Sequence, residues 1–262
     1  MSTRKLRSVR RYETVERRYD RVLWPGAVLL TVLTAWELAV PFLEIPAYVL
    51  PRPSEILLAL AGSYPTIIGA LKPTMLAFSI AFLSTIVTGY LLALAMYQWK
   101  VVETTLYPYV ITARAVPIVA LLPIFIIWFG FGFNSIVVIS YLISFFAMVV
   151  NSLSGFKSTD DELVDMLRSF SANRWELFRE IYIYSSLPQV FAGVKICVIL
   201  SFTGVIVGEF LIGTEGLGYL IIEYRNAWAT AKMFAGILAI SLTQLLLFAA
   251  VVMIERTVVT WR

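Results

Sequence analysis

Residues 135–153 read SIVVISYLISFFAMVVNSL, and no charged side chain occurs among them. A run of this length approaches the roughly 20 apolar residues that an α-helix needs to cross about 30 Å of hydrocarbon. Similar runs lie on both sides of it, and we place membrane spans at residues 23–42, 74–97, 106–129, 135–153, 187–212 and 233–254. The sequence therefore predicts an all-α fold, a polytopic membrane helical bundle of about six transmembrane helices.

The composition agrees with membrane insertion and argues against most catalytic chemistry. Of the 262 residues, 60% are apolar or aromatic and 15% are charged, against roughly 25% charged in a soluble domain. The chain has no histidine, which removes the commonest general base and the commonest zinc ligand. Its single cysteine, Cys197, lies inside an apolar run. We therefore expect no disulfide, no metal, no cofactor and no catalytic residue.

The basic residues indicate how the chain is oriented. Eight of the 21 Lys and Arg residues fall within the first 21 positions, so we interpret residues 1–22 as a basic cytoplasmic tail rather than as a nucleic-acid contact. No A-x-A cleavage site ends the run at 23–42, which predicts a retained first span. Six spans then place both termini in the cytoplasm. Fifteen Lys and Arg residues fall on cytoplasmic segments and four on external ones, as the positive-inside rule requires.

Prolines mark two unusual segments. The external loop at 43–73 carries Pro46, Pro51 and Pro53, which precede a short capped helix predicted at 54–60. The third span carries Pro108, Pro117 and Pro123, each of which removes a backbone donor and kinks an isolated helix. Such backbone persists in a bilayer where it is buried in protein or lines a water-filled path. Ordinary proline kinks inside a packed bundle explain these residues equally well.

The longest polar interruption between spans, residues 154–186, predicts a short helix-turn-helix. Thr159 and Glu162 have the spacing of a capping box, which predicts a helix starting there. The apolar stripe that follows consists of Leu163, Met166, Leu167 and Phe170, and a second begins with Trp175, Phe178 and Tyr182. Such stripes pack either onto the protein's own helix ends or into a groove on a partner. The spacing alone favours neither.

This loop resembles the coupling loop of ABC importer permeases, whose motif reads E-A-A, three residues, Gly, nine residues and I-x-L-P. Residues 165–167 (Asp-Met-Leu) stand at the E-A-A, Ser171 at the glycine and residues 181–184 at the end. The departures are substantial. Asp165 is shorter than Glu, Met166 and Leu167 are bulkier than Ala, and Ser171 replaces a glycine suited to a left-handed turn. Coupling could thereby be altered, or this subunit could pair with a non-identical one.

Other segments resemble the subgroup of these permeases that imports nitrate, sulfonates, taurine, bicarbonate and thiamine-precursor pyrimidines. The matching segments, in chain order, are Trp36-Glu37-Leu38, residues 50–55 (LPRPSE), 114–117 (RAVP), Pro123, 128–130 (WFG), 169–175 (SFSANRW), 187–188 (LP), 208–210 (GEF) and 216–220 (GLGYL). They run in order from about residue 30 to residue 225. Residues 23–262 then form a single transmembrane permease domain of the type I importer kind, with the coupling loop at 154–186.

The resemblance implies a division of labour. Two permease subunits, identical or not, form the path in a bacterial inner membrane; two ATP-binding cassette subunits bind the coupling loops, and an external binding protein delivers a small polar solute. That solute would be a sulfonate- or nitrate-like anion or a vitamin or pyrimidine precursor. The ATPase-coupling residues would be Asp165, Met166, Leu167, Phe170, Ser171, Trp175 and Phe178. The chain itself has no G-x-x-x-x-G-K-[ST] phosphate loop, so we expect it not to be an enzyme.

Four charged residues lie in or near apolar spans, namely Glu37, Arg114, Lys195 and Glu209. A charge at the membrane centre costs at least about 2.5–3.5 kcal/mol, so each either pairs within the bundle or lines a watery path. Both interpretations stay open for Arg114 and Glu209, which the resemblance places with Pro117 and Pro123 on path-lining spans. Pairing is favoured for Glu37, and Lys195 could extend to the membrane surface. The rival functions are an ion-driven secondary transporter and, far less favoured, an intramembrane enzyme.

Overall fold

A computed structural model describes the backbone of residues 3–261 and the side chains of residues 23–160, 162–173 and 175–261. The regular structure in residues 3–261 is helical throughout. The α-helices are α1 (Thr3–Phe42), α2 (Pro53–Gln98), α3 (Lys100–Ala113), α4 (Leu122–Phe129), α5 (Phe133–Lys157), α6 (Asp161–Ser169), α7 (Arg174–Leu177), α8 (Ile183–Ile212), α9 (Leu217–Asn226) and α10 (Thr230–Val258). A 3-10 helix covers Ile118–Leu121, and a π-helix covers Phe178–Tyr182.

The spans confirm the predicted all-α membrane bundle. Within residues 3–261, five helices are long and apolar enough to cross a bilayer, and a bent pair brings the number to six. The first span ends at the predicted residue, Phe42, within a helix whose backbone begins at Thr3. The charged side chains of the predicted basic tail lie outside the described residues. Chain connectivity defines two ends of the bundle: the loop end, which carries α6 and α7, and the α9 end opposite it.

An external loop with a separate short helix was predicted at 43–73, and this was wrong for residues 53–73. Residues 53–98 form one continuous helix of 46 residues, about 69 Å long, which exceeds twice the thickness of the hydrocarbon core. Pro65 lies on the exposed face of α2, while Ser63 and Ile67 are buried on the other. The packed face therefore holds the helix through Pro65, which falls inside the loop predicted at 43–73.

The third span, predicted at 106–129 with proline kinks, is a bent pair of helical segments. Helix α3 ends at Ala113, and the helical segment Ile118–Phe129 leaves it at an angle of 88°. Pro108 stays inside α3, and Pro123 lies in the first turn of α4, where a missing N–H leaves no intrahelical bond unmade. Of the three prolines, only Pro117 lies in the break itself.

Small and hydroxylated residues hold the centre of the bundle together. Helix α5 packs between α2 and α8. A Cβ on Gly89 would lie 2.8 Å from Met148 Cβ, and one on Gly204 would lie 2.8 Å from Ser140 Cα. The buried pairs Thr85–Ser144 and Ser140–Ser201 hydrogen-bond across the same interfaces at 2.8 and 2.9 Å. Close backbone approach and interhelical hydrogen bonds are how helices associate where lipid surrounds them.

Candidate functional site

The break in the third span leaves backbone without regular helical hydrogen bonds between two apolar helical segments. The i→i−4 ladder of α3 gives way to i→i−3 bonds, in which Ala115 N donates to Thr112 O and Val116 N to Ala113 O. Residues 114–117 are all exposed. Helix α3 has 14 residues, so the break lies about 21 Å along its axis from its first residue. Irregular backbone at that depth is stable where it lines a cavity.

A cavity of about 300 Å³ opens at this break. Arg114, Val116 and Val119 line one side of it. Phe146 of α5 and Leu200 of α8 line the other. The remaining wall, as far as the described residues form it, is apolar. Of the predicted path residues, the structure thus brings Arg114 to the cavity, whereas Pro117 and Pro123 are exposed and are not part of its lining.

Glu209 does not lie in that cavity. Its side chain, near the α9 end of α8, is 3% exposed. Thr74 Oγ1 of α2 donates to Glu209 Oε1 at 2.7 Å, and Gly218 N donates to Oε2 at 2.7 Å. Leu217 N donates to Thr74 Oγ1 at 2.8 Å. The carboxylate therefore caps the N-terminus of α9, where negative charge is favoured, and it ties three helices together. A path-lining role for Glu209 stays a prediction.

Two glycines make room for the Glu209 carboxylate. Gly216 has φ +107°, a conformation that side chains rarely adopt, and a Cβ there would fall on the carboxylate of Glu209. A Cβ on Gly218 would lie 2.7 Å from both Glu209 Cβ and Ile206 O. The segment Gly216-Leu217-Gly218 can therefore approach Glu209 only because these positions lack side chains.

Glu37 and Lys195 both have partners within the chain. The carboxylate of Glu37 accepts hydrogen bonds from Ser54 N at 3.0 Å and Ser54 Oγ at 2.7 Å, which joins α1 to the start of α2. Lys195 Nζ lies 2.8 Å from Glu255 Oε2, in a partly buried ion pair between α8 and α10. The pairing interpretation therefore describes both residues.

The helix-turn-helix predicted in the 154–186 loop is present, but its first cap is one residue further along. Asp160 Oδ1, not the Thr159 hydroxyl, accepts the N-terminal hydrogen bond, from Glu162 N at 2.9 Å. Thr159 Oγ1 instead donates to Phe156 O. Asn173 caps α7, because its side-chain oxygen accepts from Trp175 N and Glu176 N while Asn173 N donates to the Glu176 carboxylate. Aspartate and asparagine are stronger caps than threonine.

The apolar residues of the 154–186 loop fall into two sets, one that packs within the loop and one that is exposed. Val164, Leu177 and Ile181 form a small buried cluster, with Leu167 packed against it. The outward-facing residues are Leu163, Met166, Phe170 and Trp175, all exposed. Phe178 is half-buried and contacts the Trp175 ring, with 5.8 Å between centroids. The loop thus packs on itself through one face and leaves an apolar face exposed on the other.

Ser171 has φ +61°, the left-handed conformation for which the coupling motif uses glycine. It joins α6 to α7, and Ala172 N closes the turn by donating to Leu167 O at 3.1 Å. The serine therefore keeps the backbone geometry of the motif at the expense of strain. Asp165 is exposed and paired with Arg168 at 3.3 Å.

Helix α7, the π-helix and α8 form one uninterrupted helical segment from Arg174 to Ile212. Helix α7 is therefore joined to the end of α8 that carries Glu209 without a break in the helical backbone. The start of the third span is also tied to the loop end, because Glu103 of α3 pairs with Lys100 at 3.0 Å and with Lys157 of α5 at 2.5 Å.

Sequence analysis missed the partners of its charged residues. Nothing in the periodicity of α2 marks Thr74, and Glu255 lies 60 residues along the chain from Lys195. The one available signal was Gly216-Leu217-Gly218 shortly after Glu209, since paired glycines indicate close backbone approach. No cluster of acidic, cysteine or histidine side chains suited to a metal ion occurs among the side chains that the structure describes.

Comparison with known proteins gives consistent matches. A family profile described as "Binding-protein-dependent transport system inner membrane component" matches residues 85–260. The chain is 32% identical over 247 residues to the formylaminopyrimidine transport permease protein ThiX of Halalkalibacterium halodurans, a match that covers 94% of this chain and 98% of that protein. It is 31% identical over 260 residues to the riboflavin transport system permease protein RibX of Chloroflexus aurantiacus, with 94% of each chain covered.

More distant relatives include the taurine transport system permease protein TauC of Escherichia coli, 28% identical over 242 residues, covering 90% of this chain and 87% of that protein. Among solved structures, an inward-facing conformation of the MetNI methionine ABC transporter matches with a TM-score of 0.56 at 18% identity. That match covers 73% of this chain and 94% of the other. The structural likeness concerns the fold.

Proposed function

Because this chain belongs to the binding-protein-dependent transport system inner membrane components, the permease subunits of ATP-driven importers, we propose that the break at residues 114–117 lines its translocation path. The irregular backbone between the two segments of this span, beside a cavity of about 300 Å³, carries the proposal. Hydrolysis of ATP belongs to a separate subunit of such importers. The chain acts as a multi-pass inner-membrane subunit and not as an enzyme.

The solute we propose is a vitamin or pyrimidine precursor, with a sulfonate- or nitrate-like anion as the second class. Two relatives above 30% identity are named for formylaminopyrimidine and riboflavin transport. The taurine permease is less similar, at 28% identity. In this arrangement an external substrate-binding protein delivers the solute, and a second permease subunit, identical or not, completes the path.

The loop end is the cytoplasmic end in this proposal, which places both termini inside. The exposed face of Leu163, Met166, Phe170 and Trp175 fits an apolar groove on an ATP-binding cassette subunit, in the helix-in-groove mode. Because α7 continues into α8, movement of that subunit would displace α8. The displacement would reach α9 and α2 through Glu209, and alternating access would follow.

The coupling role is tested by measuring how much of the co-expressed ATP-binding cassette subunit is captured by this chain. The double variant Asp165→Ala/Trp175→Ala, co-expressed with that subunit, should lose capture more than about tenfold, since a buried interface Trp typically contributes at least about 2 kcal/mol. ATP-driven uptake should fall with it. Trp228→Ala is the matched control, because Trp228 is 77% exposed and Trp175 67%, but Trp228 lies at the opposite end of the bundle. Unchanged capture and uptake in the double variant would contradict the coupling role.

A further inference from the structure

The cavity at the break in the third span combines one cation with an apolar wall. Arg114 makes no hydrogen bond and no ion pair among the residues whose side chains the structure describes. A guanidinium has five N–H donors and no acceptor, and it stacks on planar groups. Arg114 is exposed and lines the cavity, and a charge within an apolar span costs free energy that a partner group or water must offset. Its donors are therefore available to a ligand of acceptor character.

The rest of the wall limits what such a ligand can be. Val116 and Val119 stand beside Arg114, Phe146 contributes an aromatic face from α5, and Leu200 closes the wall from α8. An ammonium group placed here would be repelled by the Arg114 cation, and the lining offers it no carboxylate, only the Phe146 ring and aliphatic carbon. A small inorganic anion would lose its hydration against the same carbon, with one partner in return. A flat ring finds apolar contact on its faces and donors at its edge.

The depth of the cavity suits a binding position within the path. Leu200 lies near the middle of α8 (Ile183–Ile212), and Phe146 lies near the middle of α5 (Phe133–Lys157). The volume of about 300 Å³ is at the lower end of the range for small-molecule sites. It accommodates one or two fused rings rather than an extended chain.

We propose that Arg114 and the apolar wall around it form a binding site for a planar heteroaromatic solute whose carbonyl oxygens or ring nitrogens accept hydrogen bonds from the guanidinium. This inference rests on the proposed function, and it deepens it by selecting the ring-containing class over taurine-like zwitterions and nitrate. Arg114 acts as a direct ligand, and Phe146 supplies a stacking face.

The test uses the full chain in lipid nanodiscs and 5-fluorouracil, a planar ring with two carbonyl acceptors, as a fluorine NMR probe. The wild-type chain should broaden the fluorine line relative to empty nanodiscs, and excess uracil should reverse the broadening whereas excess taurine should not. Arg114→Gln should weaken probe binding about tenfold or more, which corresponds to the loss of a charge-assisted hydrogen bond. Arg114→Lys should recover part of the lost binding, because an ammonium group donates hydrogen bonds but cannot form a bidentate pair or stack on a ring.

Two further variants make the result decisive. Arg225→Gln removes one arginine from the exposed surface of α9 and should leave probe binding unchanged. Val119→Trp fills the cavity from an exposed position and should abolish binding even if Arg114→Gln fails to fold. The site is refuted if the wild-type chain does not bind the probe, if Arg114→Gln binds it as tightly, or if taurine displaces it equally well.

Capture of the ATP-binding cassette subunit by the same preparations separates this proposal from the one on which it rests. If the chain captures the ATP-binding cassette subunit but does not bind 5-fluorouracil, the proposed Arg114 site is overturned and the permease role stands. If the chain binds 5-fluorouracil but does not capture the ATP-binding cassette subunit, the Arg114 site is supported and the coupling role is contradicted. Arg114→Gln could also change how two permease subunits associate while probe binding stays the same. That result would assign Arg114 to the contact between permease subunits and overturn the site.

Discussion

Thr74 Oγ1 lies 2.7 Å from Glu209 Oε1, although 135 residues separate the two in the chain. The same hydroxyl accepts from Leu217 N, and the other carboxylate oxygen accepts from Gly218 N. One buried carboxylate therefore joins the middle of α2, the end of α8 and the start of α9. This contact explains a charged residue in an apolar span without requiring it to touch the solute.

Glu209→Ala should destabilise the protein by about 2–3 kcal/mol, because it leaves the Gly218 N–H and the Thr74 hydroxyl without their acceptor in a buried site. Glu209→Gln should cost about 1 kcal/mol, since its amide keeps the shape and one acceptor oxygen. Thermal unfolding in detergent measures both. Glu223→Ala on the exposed side of α9 is the control, expected within about 0.5 kcal/mol of wild type. Equal effects at positions 209 and 223 would contradict the capping role.

Gly216→Ala should destabilise the α9 end by about 1–3 kcal/mol from backbone strain alone, and more through the clash of the new Cβ with the Glu209 carboxylate. The comparison is Gly69→Ala in α2, where no atom lies within 4 Å of the built Cβ. That change should stabilise by about 0.4–1 kcal/mol. Melting temperatures that move in opposite directions are the expected result, and a shift of the same sign in both would speak against the close fit.

Ser171→Gly should stabilise the α6–α7 turn by about 1 kcal/mol, because glycine adopts φ +61° without the penalty that a Cβ brings. Ser171→Ala keeps the Cβ and should give no gain. Hydrogen exchange of the amides at 164–177 reads out the turn locally. Protection that rises in both variants, or in neither, would show that the left-handed backbone carries no strain.

Lys195→Met should be more damaging than the double variant Lys195→Met/Glu255→Leu. The single change leaves the Glu255 carboxylate, which is 15% exposed, without its cation among the described side chains. Removing both charges restores an apolar contact between α8 and α10, as expected for a partly buried ion pair. A double-mutant cycle on thermal unfolding should give a coupling of about 1–2 kcal/mol. A coupling of zero would mean that the two charges act independently.

Local sequence patterns were enough to predict most of the helices. The uncharged run at 135–153 predicted α5, and the run at 187–212 predicted most of α8, because hydrocarbon requires about 20 apolar residues whatever the neighbours are. The same logic failed at the prolines. Pro65 was read as part of a loop but lies within α2, and Pro117 was read as a kink but lies at a break of 88°. A proline removes one donor in every context, and only the packing around it decides whether the helix continues.

For the candidate site, the sequence determined which residues are unusual: a charge such as Glu209 or Arg114 in an apolar span, and glycines at 216 and 218. Only the tertiary structure decided that Glu209 is bound by Thr74 and α9 while Arg114 lines an apolar cavity. The cost of a charge in the membrane depends on its own chemistry and depth, which the sequence contains. The group that offsets this cost comes from another helix, more than a hundred residues away in the case of Thr74, and that pairing exists only in the folded chain.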